Sequence, residues 1–358
     1  MKICLVCVEI FAWGKYGGFG RSARMLGREL VRRGYDVTAV VPRREDQKRV
    51  EMLDGIRILG FDRTNPMSML RLFREANADI YHSQEPSFAT YLAQIAMPHR
   101  KHIVTFRDTR FINDWWVEFK YPSKNHLQVF LNFLYEDNFL VSRAVRRADR
   151  CFATANFLIP KARTKYRLSV DPVFLPSPIP FVENVSKSTS PLVCFVARLD
   201  RRKRPYLFFE LARKFPHVQF ESIGVGQDVQ WERTIQSKYM DLPNLKFHGF
   251  VDQFSEPRLL EIWNKAWILV NTSARESLPT TFVEATGNGC AILSEIDPDG
   301  FASQFGYRVE NGDYESGMRF LLEDDRWRML GQKGRDYTTA YYGIDEALRR
   351  HITIYDDL

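Results

Sequence analysis

The sequence contains no run of about 18 consecutive apolar residues, the length a helix needs to cross a bilayer. It is also poor in cysteine, with 5 in 358 residues. A small, odd cysteine set excludes a disulfide-scaffolded secreted domain. Cys4 and Cys7 keep the Cys-x-x-Cys spacing of zinc and redox sites, but they sit in an apolar stretch of strand length. Residues three apart on a strand face opposite sides, so one metal cannot take both; core cysteines are the better reading. The opening MKICLVCVEIFAWGKYGG is interrupted by Glu9 and has no small-residue cleavage site, so it reads as a buried strand and not a signal peptide. The chain is therefore expected in the cytoplasm. It has no low-complexity tract and no short internal repeat, and a nucleic-acid partner is not expected.

What is present is a soluble globular composition, 45% apolar and 27% charged. A mass of 42.0 kDa exceeds one ordinary core and predicts two domains. Acids are scarce in the first half. Residues 1–180 carry 29 Lys and Arg against 18 Asp and Glu, whereas residues 181–358 carry 22 against 26. A basic first half suits an anionic partner or an anionic membrane face; an ordinary solvated surface would look the same.

The chain alternates strand and helix patterns. KICLVCVEI, DVTAVVP, ADIYHSQEP, RKHIVTFRD and RADRCFATANF read as strands or strand ends, and SARMLGRELVRRG places Ala23, Leu26, Leu30 and Val31 on one helical face. DPVFLPSPIPFVENVSKSTSPL, with five prolines and four serines, breaks the order and reads as a hinge near residues 176–190. The alternation then resumes through LVCFVARL, PYLFFELARKF, VQFESIGVG, LKFHGFV, EPRLLEIWNKA, WILVNTS and AILSEI. Alternating elements build parallel sheets covered on both faces, so the fold class is α/β with two such sheets in tandem. Open parallel sheets take ligands outside the carboxyl ends of their strands, and most of the polar punctuation of this chain falls just after its expected strands.

ARESLPTTFVEATGNGC (274–290) follows the WILVN strand. Pro279 suits the first turn of a helix, and Thr280, Thr281 and Phe282 would then offer backbone N–H groups to an anion. Glu276 in the loop and Glu284 one turn into the helix are hydroxyl acceptors, as a sugar or ribose requires. An anion hole with two hydroxyl clamps fits a nucleotide sugar; a capped surface helix with stray acids fits the spacing too. In VCFVARLDRRKRPYL, Arg198 and Lys203 stand at a strand exit, where cations can neutralise a diphosphate. Several of the surrounding arginines read as a solvated loop. Gly17, Gly18 and Gly20 allow close backbone approach after the first strand. A dinucleotide fingerprint is discounted there, because Pro42, Arg43 and Arg44 stand where an acid for the ribose is needed. His82 and Gln84 share one side of a strand end, and Arg107 and Asp108 occupy another.

These pieces together resemble a retaining glycosyltransferase of the two-Rossmann GT-B architecture, most similar to glycosyltransferase family 4. The resemblance rests on Glu276-x7-Glu284 with ESLP, Arg198-x4-Lys203, the glycine turn IGVG with Gly224, GFV at 249–251, and the early Gly17-Gly18. It implies an N-terminal acceptor domain over 1–178, a donor domain over 190–338, a cleft between them, and a last helix (about 340–358) crossing back to the first domain. It implies that Glu276 holds the donor sugar and Glu284 the ribose. Arg198 and Lys203 would stabilise the departing diphosphate, with the backbone of Thr280, Thr281 and Gly18 sharing that work. Leu278 would contact the donor; Phe250 and Val251 would line the base pocket. No metal or other cofactor is implied, and IDPDG (296–300) reads as a loop. His82 and Gln84 would face the sugar, although relatives often carry His-x-His where this chain has His82-Ser83-Gln84. Arg107 and Asp108 would lie on the acceptor side. The expected activity is transfer from a nucleotide-diphosphate sugar to a hydroxyl acceptor, with peripheral contact at the inner membrane face through the basic half. A non-hydrolysing nucleotide-sugar epimerase and a non-catalytic nucleotide-sugar-binding protein are the alternatives.

Overall fold

The computed structural model describes residues 1–14, 16–44 and 46–358, which form two compact units. Unit 1 comprises Met1–Thr109, Phe130–Ile179 and Ile344–Leu358; unit 2 comprises Arg110–Val129 and Pro180–Gly343.

Unit 1 is built on an eight-stranded sheet in the order β3-β4-β2-β1-β5-β6-β7-β8. Its strands are β1 Lys2–Val6, β2 Asp36–Pro42, β3 Val50–Leu53, β4 Ile56–Phe61, β5 Ile80–Ser83, β6 Lys101–Phe106, β7 Arg150–Ala153 and β8 Val173–Phe174. Every pairing is parallel except β3 with β4, a hairpin turning at Asp54-Gly55. β1 lies between β2 and β5 and is buried on both faces, as an unbroken apolar run requires. The two cysteines part accordingly: Cys4 packs in the core with Leu59, Phe73 and Tyr81, and Cys7 in the core with Leu26, Leu30 and Phe152. β1 ends at Val6, short of the expected KICLVCVEI stretch. Helix Gly18–Arg32 buries Ala23, Leu26 and Leu30, and Gly34, at φ +84°, takes the left-handed turn after it.

The last helix, Ile344–Asp356, belongs to unit 1 and inserts Leu348 and Tyr355 into the core around Leu26 and Leu30. It is separate from helix Arg326–Tyr342, which belongs to unit 2; Gly343 divides them.

Unit 2 is built on a six-stranded, all-parallel sheet in the order β11-β10-β9-β12-β13-β14. The strands are β9 Leu192–Val196, β10 Gln219–Ile223, β11 Leu245–Gly249, β12 Ile268–Asn271, β13 Ala291–Ser294 and β14 Gly306–Arg308. Helix Pro205–Lys214 packs Phe208 and Phe209 on one face of this sheet, with Phe195 and Phe220. Helix Ile112–Lys120, from the segment after β6, also belongs to unit 2. No described helix is long and apolar enough to cross a membrane.

Candidate functional site

Parallel neighbours bring their carboxyl ends together, and in unit 2 the exits of β10, β9 and β12 carry most of the expected donor residues. β9 and β12 pair directly. After β9 the chain runs through Arg198 and Asp200 into the short 3-10 turn Arg201–Lys203; after β12 it runs through Ser273 to Glu276. The Lys203 ammonium donates to Glu276 Oε1. The same oxygen accepts from Ser273 Oγ at 2.7 Å and from Asn271 Nδ2 at 3.5 Å. Thr272 ties the loops from the other side, its hydroxyl donating to the carbonyls of Lys203 (2.5 Å) and Arg204 (3.0 Å). Arg204, held at φ +47°, donates back to Thr272 O at 2.6 Å and to Glu295.

The electrostatics follow from burial and charge. Burial raises the Glu276 carboxyl, but Lys203, Arg202 and the Ser273 hydroxyl outweigh it, and the group stays ionised below the ordinary carboxylate range. Burial pulls Lys203 below the ordinary lysine range, against the carboxylate beside it, and the Arg202 and Arg198 cations add to the pull. The result is a carboxylate and an ammonium held together, with the Arg198 and Arg202 cations nearby each paired to an acid of its own.

Arg198 is anchored differently. Its Nε lies 3.3 Å from Asp200 Oδ2, and Asp200 Oδ1 accepts the amide of Gln227 at 3.2 Å. Asp200, a buried carboxylate the sequence reading passed over, thus joins the arginine to the loop after β10. That loop approaches closely because it is glycine: a Cβ on Gly224 (φ +128°) would lie 2.1 Å from Ala197 O.

Helix Thr280–Gly287 begins after Pro279, which is its N-cap and not its first turn as expected. Phe282 N–H donates to Pro279 O at 2.9 Å. The Phe282 amide is therefore spent, a correction to its expected role, and only the amides of Thr280 and Thr281 precede the first bond of the helix. Glu284 is buried one turn in, and Leu278 is half-buried in the loop. Of the pair expected at the base pocket, Phe250 is exposed and Val251 is turned into the interior.

In unit 1 the expected residues again meet at strand exits, yet the arrangement differs from expectation. His82, expected to touch a sugar, is fully buried, with Nδ1 at 2.8 Å from the Tyr355 hydroxyl and Nε2 at 2.7 Å from Thr105 Oγ1. Burial, with His351 and Arg107 nearby, pushes its pKa well below the usual histidine range. Both nitrogens are engaged, and through Tyr355 the ring ties the last helix to β5. Gln84 is buried too, its Oε1 accepting from Arg107 Nη2 at 2.5 Å. Arg107 also donates to Ser177 Oγ at 2.7 Å, and burial lowers it to about 10. Glu85 Oε2 accepts the amides of Arg107 (2.6 Å) and Asp108 (3.0 Å). Arg107 and Gln84 therefore form one buried network and present no open face. At the start of helix Gly18–Arg32, Glu9 Oε1 accepts from Gly20 N at 3.0 Å, and a Cβ on Gly17 would lie 2.0 Å from that oxygen. A carboxylate of the chain itself serves the helix end that Gly17 and Gly18 were expected to offer a diphosphate. Among the described residues no group of three or more His, Cys, Asp or Glu gathers as metal ligands would.

Comparison with known proteins agrees with this architecture. The sequence model described as Glycosyltransferase Family 4 matches residues 16–176, and that described as Glycosyl transferases group 1 matches residues 179–317. No curated protein matches the sequence significantly. Among solved structures, sucrose-phosphate synthase (tll1590) from Thermosynechococcus elongatus superposes with a TM-score of 0.74 at 14% identity, covering 99% of this chain and 98% of that one. Anabaena Alr3699/HepE, in complex with UDP and glucose, gives 0.72 at 13% identity, with both chains covered in full. The lipopolysaccharide outer core galactosyltransferase WaaB gives 0.64 at 14% identity, also over both full chains. At these identities the structures speak for the fold, and the two sequence models together for the family: the chain is a GT-B glycosyltransferase of the family 4 type.

Proposed function

We propose that the chain is a retaining, metal-independent glycosyltransferase that moves a sugar from a nucleotide-diphosphate sugar to a hydroxyl acceptor, with residues 190–338 in the donor domain and residues 1–178, apart from Arg110–Val129 and together with the last helix, as the acceptor domain. The observation that carries this reading is the Lys203–Glu276 pair at the joined exits of β9 and β12. Glu276 has a second oxygen for a sugar hydroxyl, while Lys203 and Arg198 supply positive charge where a diphosphate leaves. Thr280 and Thr281 add backbone donors at a helix start. HepE has been crystallised with UDP-glucose, which favours a nucleotide sugar here as well. In the reaction the acceptor oxygen bonds to the anomeric carbon as its bond to the diphosphate breaks. The acceptor proton passes to the leaving phosphate oxygen on the same face, so anomeric configuration is kept and no enzyme nucleophile is needed. Glu284 holds the ribose, Phe250 borders the base, and Leu278 and the Gly224 turn contact the donor.

A thermal-shift panel of UDP-, GDP-, ADP- and dTDP-sugars tests donor binding, since a ligand that binds only the folded state raises Tm. NMR of the product anomer tests retention, and EDTA treatment tests metal independence. Donor turnover without any acceptor would point to the epimerase, and tight donor binding without turnover to a non-catalytic protein.

We also place the enzyme in the cytoplasm, docked on an anionic membrane face. Helix His126–Glu136 carries Leu127, Phe130, Leu131 and Leu134 at positions i, i+3, i+4 and i+7, between 46 and 65% exposed. Such a stripe matches an interfacial helix. The next helix, Phe139–Arg146, starts with exposed Phe139 and continues to exposed Arg143, Arg146 and Arg147. Apolar insertion beside cations complements anionic lipid. Co-sedimentation with phosphatidylglycerol-containing vesicles, weakened by Leu131→Asp with Leu134→Asp, is the expected outcome. Concentration-dependent self-association removed by the same variant would assign the stripe to a second copy of the chain instead.

A further inference from the structure

The residues immediately before the two central site residues are both arginines: Arg202 precedes Lys203, and Arg275 precedes Glu276. Both reach the same carboxylate. Arg202 Nη1 donates to Glu118 Oε1, and Arg275 Nη1 lies 3.3 Å from that oxygen. Arg275 Nε also donates to Asp114 Oδ1 at 2.8 Å. Glu118 and Asp114 lie four apart, on one face of helix Ile112–Lys120. The helix is secured in unit 2 by buried Trp115, with the Arg110 guanidinium 4.7 Å from its ring centre. The other Asp114 oxygen accepts Phe111 N–H at 2.9 Å and caps the helix. The side chains of Glu118, Arg202 and Arg275 are only 9–12% exposed. The backbone completes the clasp, Ala274 N–H donating to Arg202 O at 2.9 Å.

We propose that Glu118 is a positioning residue for the Lys203–Glu276 pair: by taking up Arg202 and Arg275 it fixes the two loops at one spacing and keeps Arg202 off the Glu276 carboxylate. The physical issue is competition. Glu276 is in contact with Lys203, the residue after Arg202, and two residues before Glu276 the Ala274 N–H is bonded to the Arg202 carbonyl, so Arg202 is carried beside the pair by both loops. A guanidinium binds a carboxylate bidentately and more strongly than an ammonium does. With the Glu118 charge removed, the Glu276 carboxylate becomes a competing acid for Arg202, and a guanidinium turned onto it would displace Lys203 and cover the oxygen that a sugar hydroxyl needs. A buried ion cluster is a poor source of stability, since apolar groups of the same shape do as well or better. Its retention beside a site is better explained by the geometry it enforces.

This inference rests on the donor-site reading above. Its first test, a crystal structure of Glu118→Gln, does not. That variant keeps the side-chain shape and removes the charge. The expected result is Arg202 turned onto the Glu276 carboxylate; Glu276 still held by Lys203, with Arg202 unmoved, overturns the inference whether or not the protein binds nucleotide sugars. The second test is kinetic. In Glu118→Gln, kcat should fall about 10- to 100-fold, the loss typical of a small misplacement in a site, with the donor KM changing much less. Glu118→Asp should recover part of it. Adding Arg202→Gln to Glu118→Gln should bring kcat back to that of Arg202→Gln alone, because the competitor is gone. Wild-type kcat in Glu118→Gln, or a double variant no faster than Glu118→Gln, overturns the inference.

Discussion

The Lys203 ammonium and the Glu276 carboxylate are in direct contact although 73 residues separate them in sequence. Their loops leave adjacent parallel strands, so neither can move far without the other. In the absence of donor, each is the other's partner.

Breaking this pair should separate function from fold. Glu276→Gln and Lys203→Met should each lower single-turnover transfer by about 10²- to 10³-fold, the usual loss for one transition-state contact. Each should lower stability by about 2 kcal/mol, the scale of one charged hydrogen bond. The double variant should lose less stability than the two singles added together, since it leaves neither charge stranded. Denaturant melts alongside transfer assays measure both effects.

The Glu276 carboxyl is also an acid-side switch. Its pKa in the folded chain is depressed, so its contribution to stability is full above the unfolded value, about 4.3, and is lost as pH falls through the folded value. The acid limb of a stability-against-pH curve should therefore be shallower in Glu276→Gln than in the wild type. Chemical denaturation between pH 5 and pH 2.5 reads this directly.

His82 and His351 act over a higher window. Both are buried and neutral; burial holds His351 at about 4 and His82 well below the usual range. Below about pH 6.5 the unfolded chain takes up protons that the folded chain refuses. Stability is therefore full above that pH and falls toward pH 4, by up to about 1.4 kcal/mol per pH unit for each ring. His351→Gln should reduce the slope by about one proton. An unchanged slope would show that other groups carry the dependence.

Tyr355 tethers the final helix to β5 through His82. Tyr355→Phe should cost about 1 kcal/mol, one neutral hydrogen bond. Removing residues 344–358 should do far more, because Leu348 and Tyr355 fill the unit 1 core. Truncated protein is expected to aggregate or bind ANS, as measured by light scattering and fluorescence.

Gly224→Ala should disturb the donor side from a distance. The added Cβ would meet Ala197 O, and the residue would have to hold φ +128°. A strained backbone position of this kind costs about 1–3 kcal/mol. Because the contact is one residue from Arg198, donor affinity should fall with stability. A titration calorimetry series with the wild-type donor tests this.

Much of the fold was legible. DVTAVVP is β2 to the residue, and the strand exits of unit 2 fall where the alternation puts them. Short apolar runs bounded by Gly and Pro carry that signal locally. The region from 110 to 146 was not legible. It folds as three helices, but aromatics fall on more than one face of the first two and Phe111 occupies an N-cap where Ser or Asp would mark a start. The β3–β4 hairpin was also missed, although Asp54-Gly55 is a hairpin signal. β3 is a short edge strand with only half its residues shielded, so its apolar pattern is faint.

Local periodicity and turn chemistry were enough to establish two parallel α/β sheets and to place Arg198, Lys203, Glu276, Gln84 and Arg107 at strand ends. They could not assign partners. Lys203 takes Glu276, Arg198 takes Asp200, Arg202 takes Glu118 from 84 residues away, and His82 takes Tyr355 across 273 residues. Ionic and hydrogen-bond energies depend on distance and on the exclusion of water. For residues so far apart in the chain, strand register and helix docking set both quantities, and the folded molecule alone ties an expected site histidine to the last helix and makes an overlooked glutamate the clasp of the site.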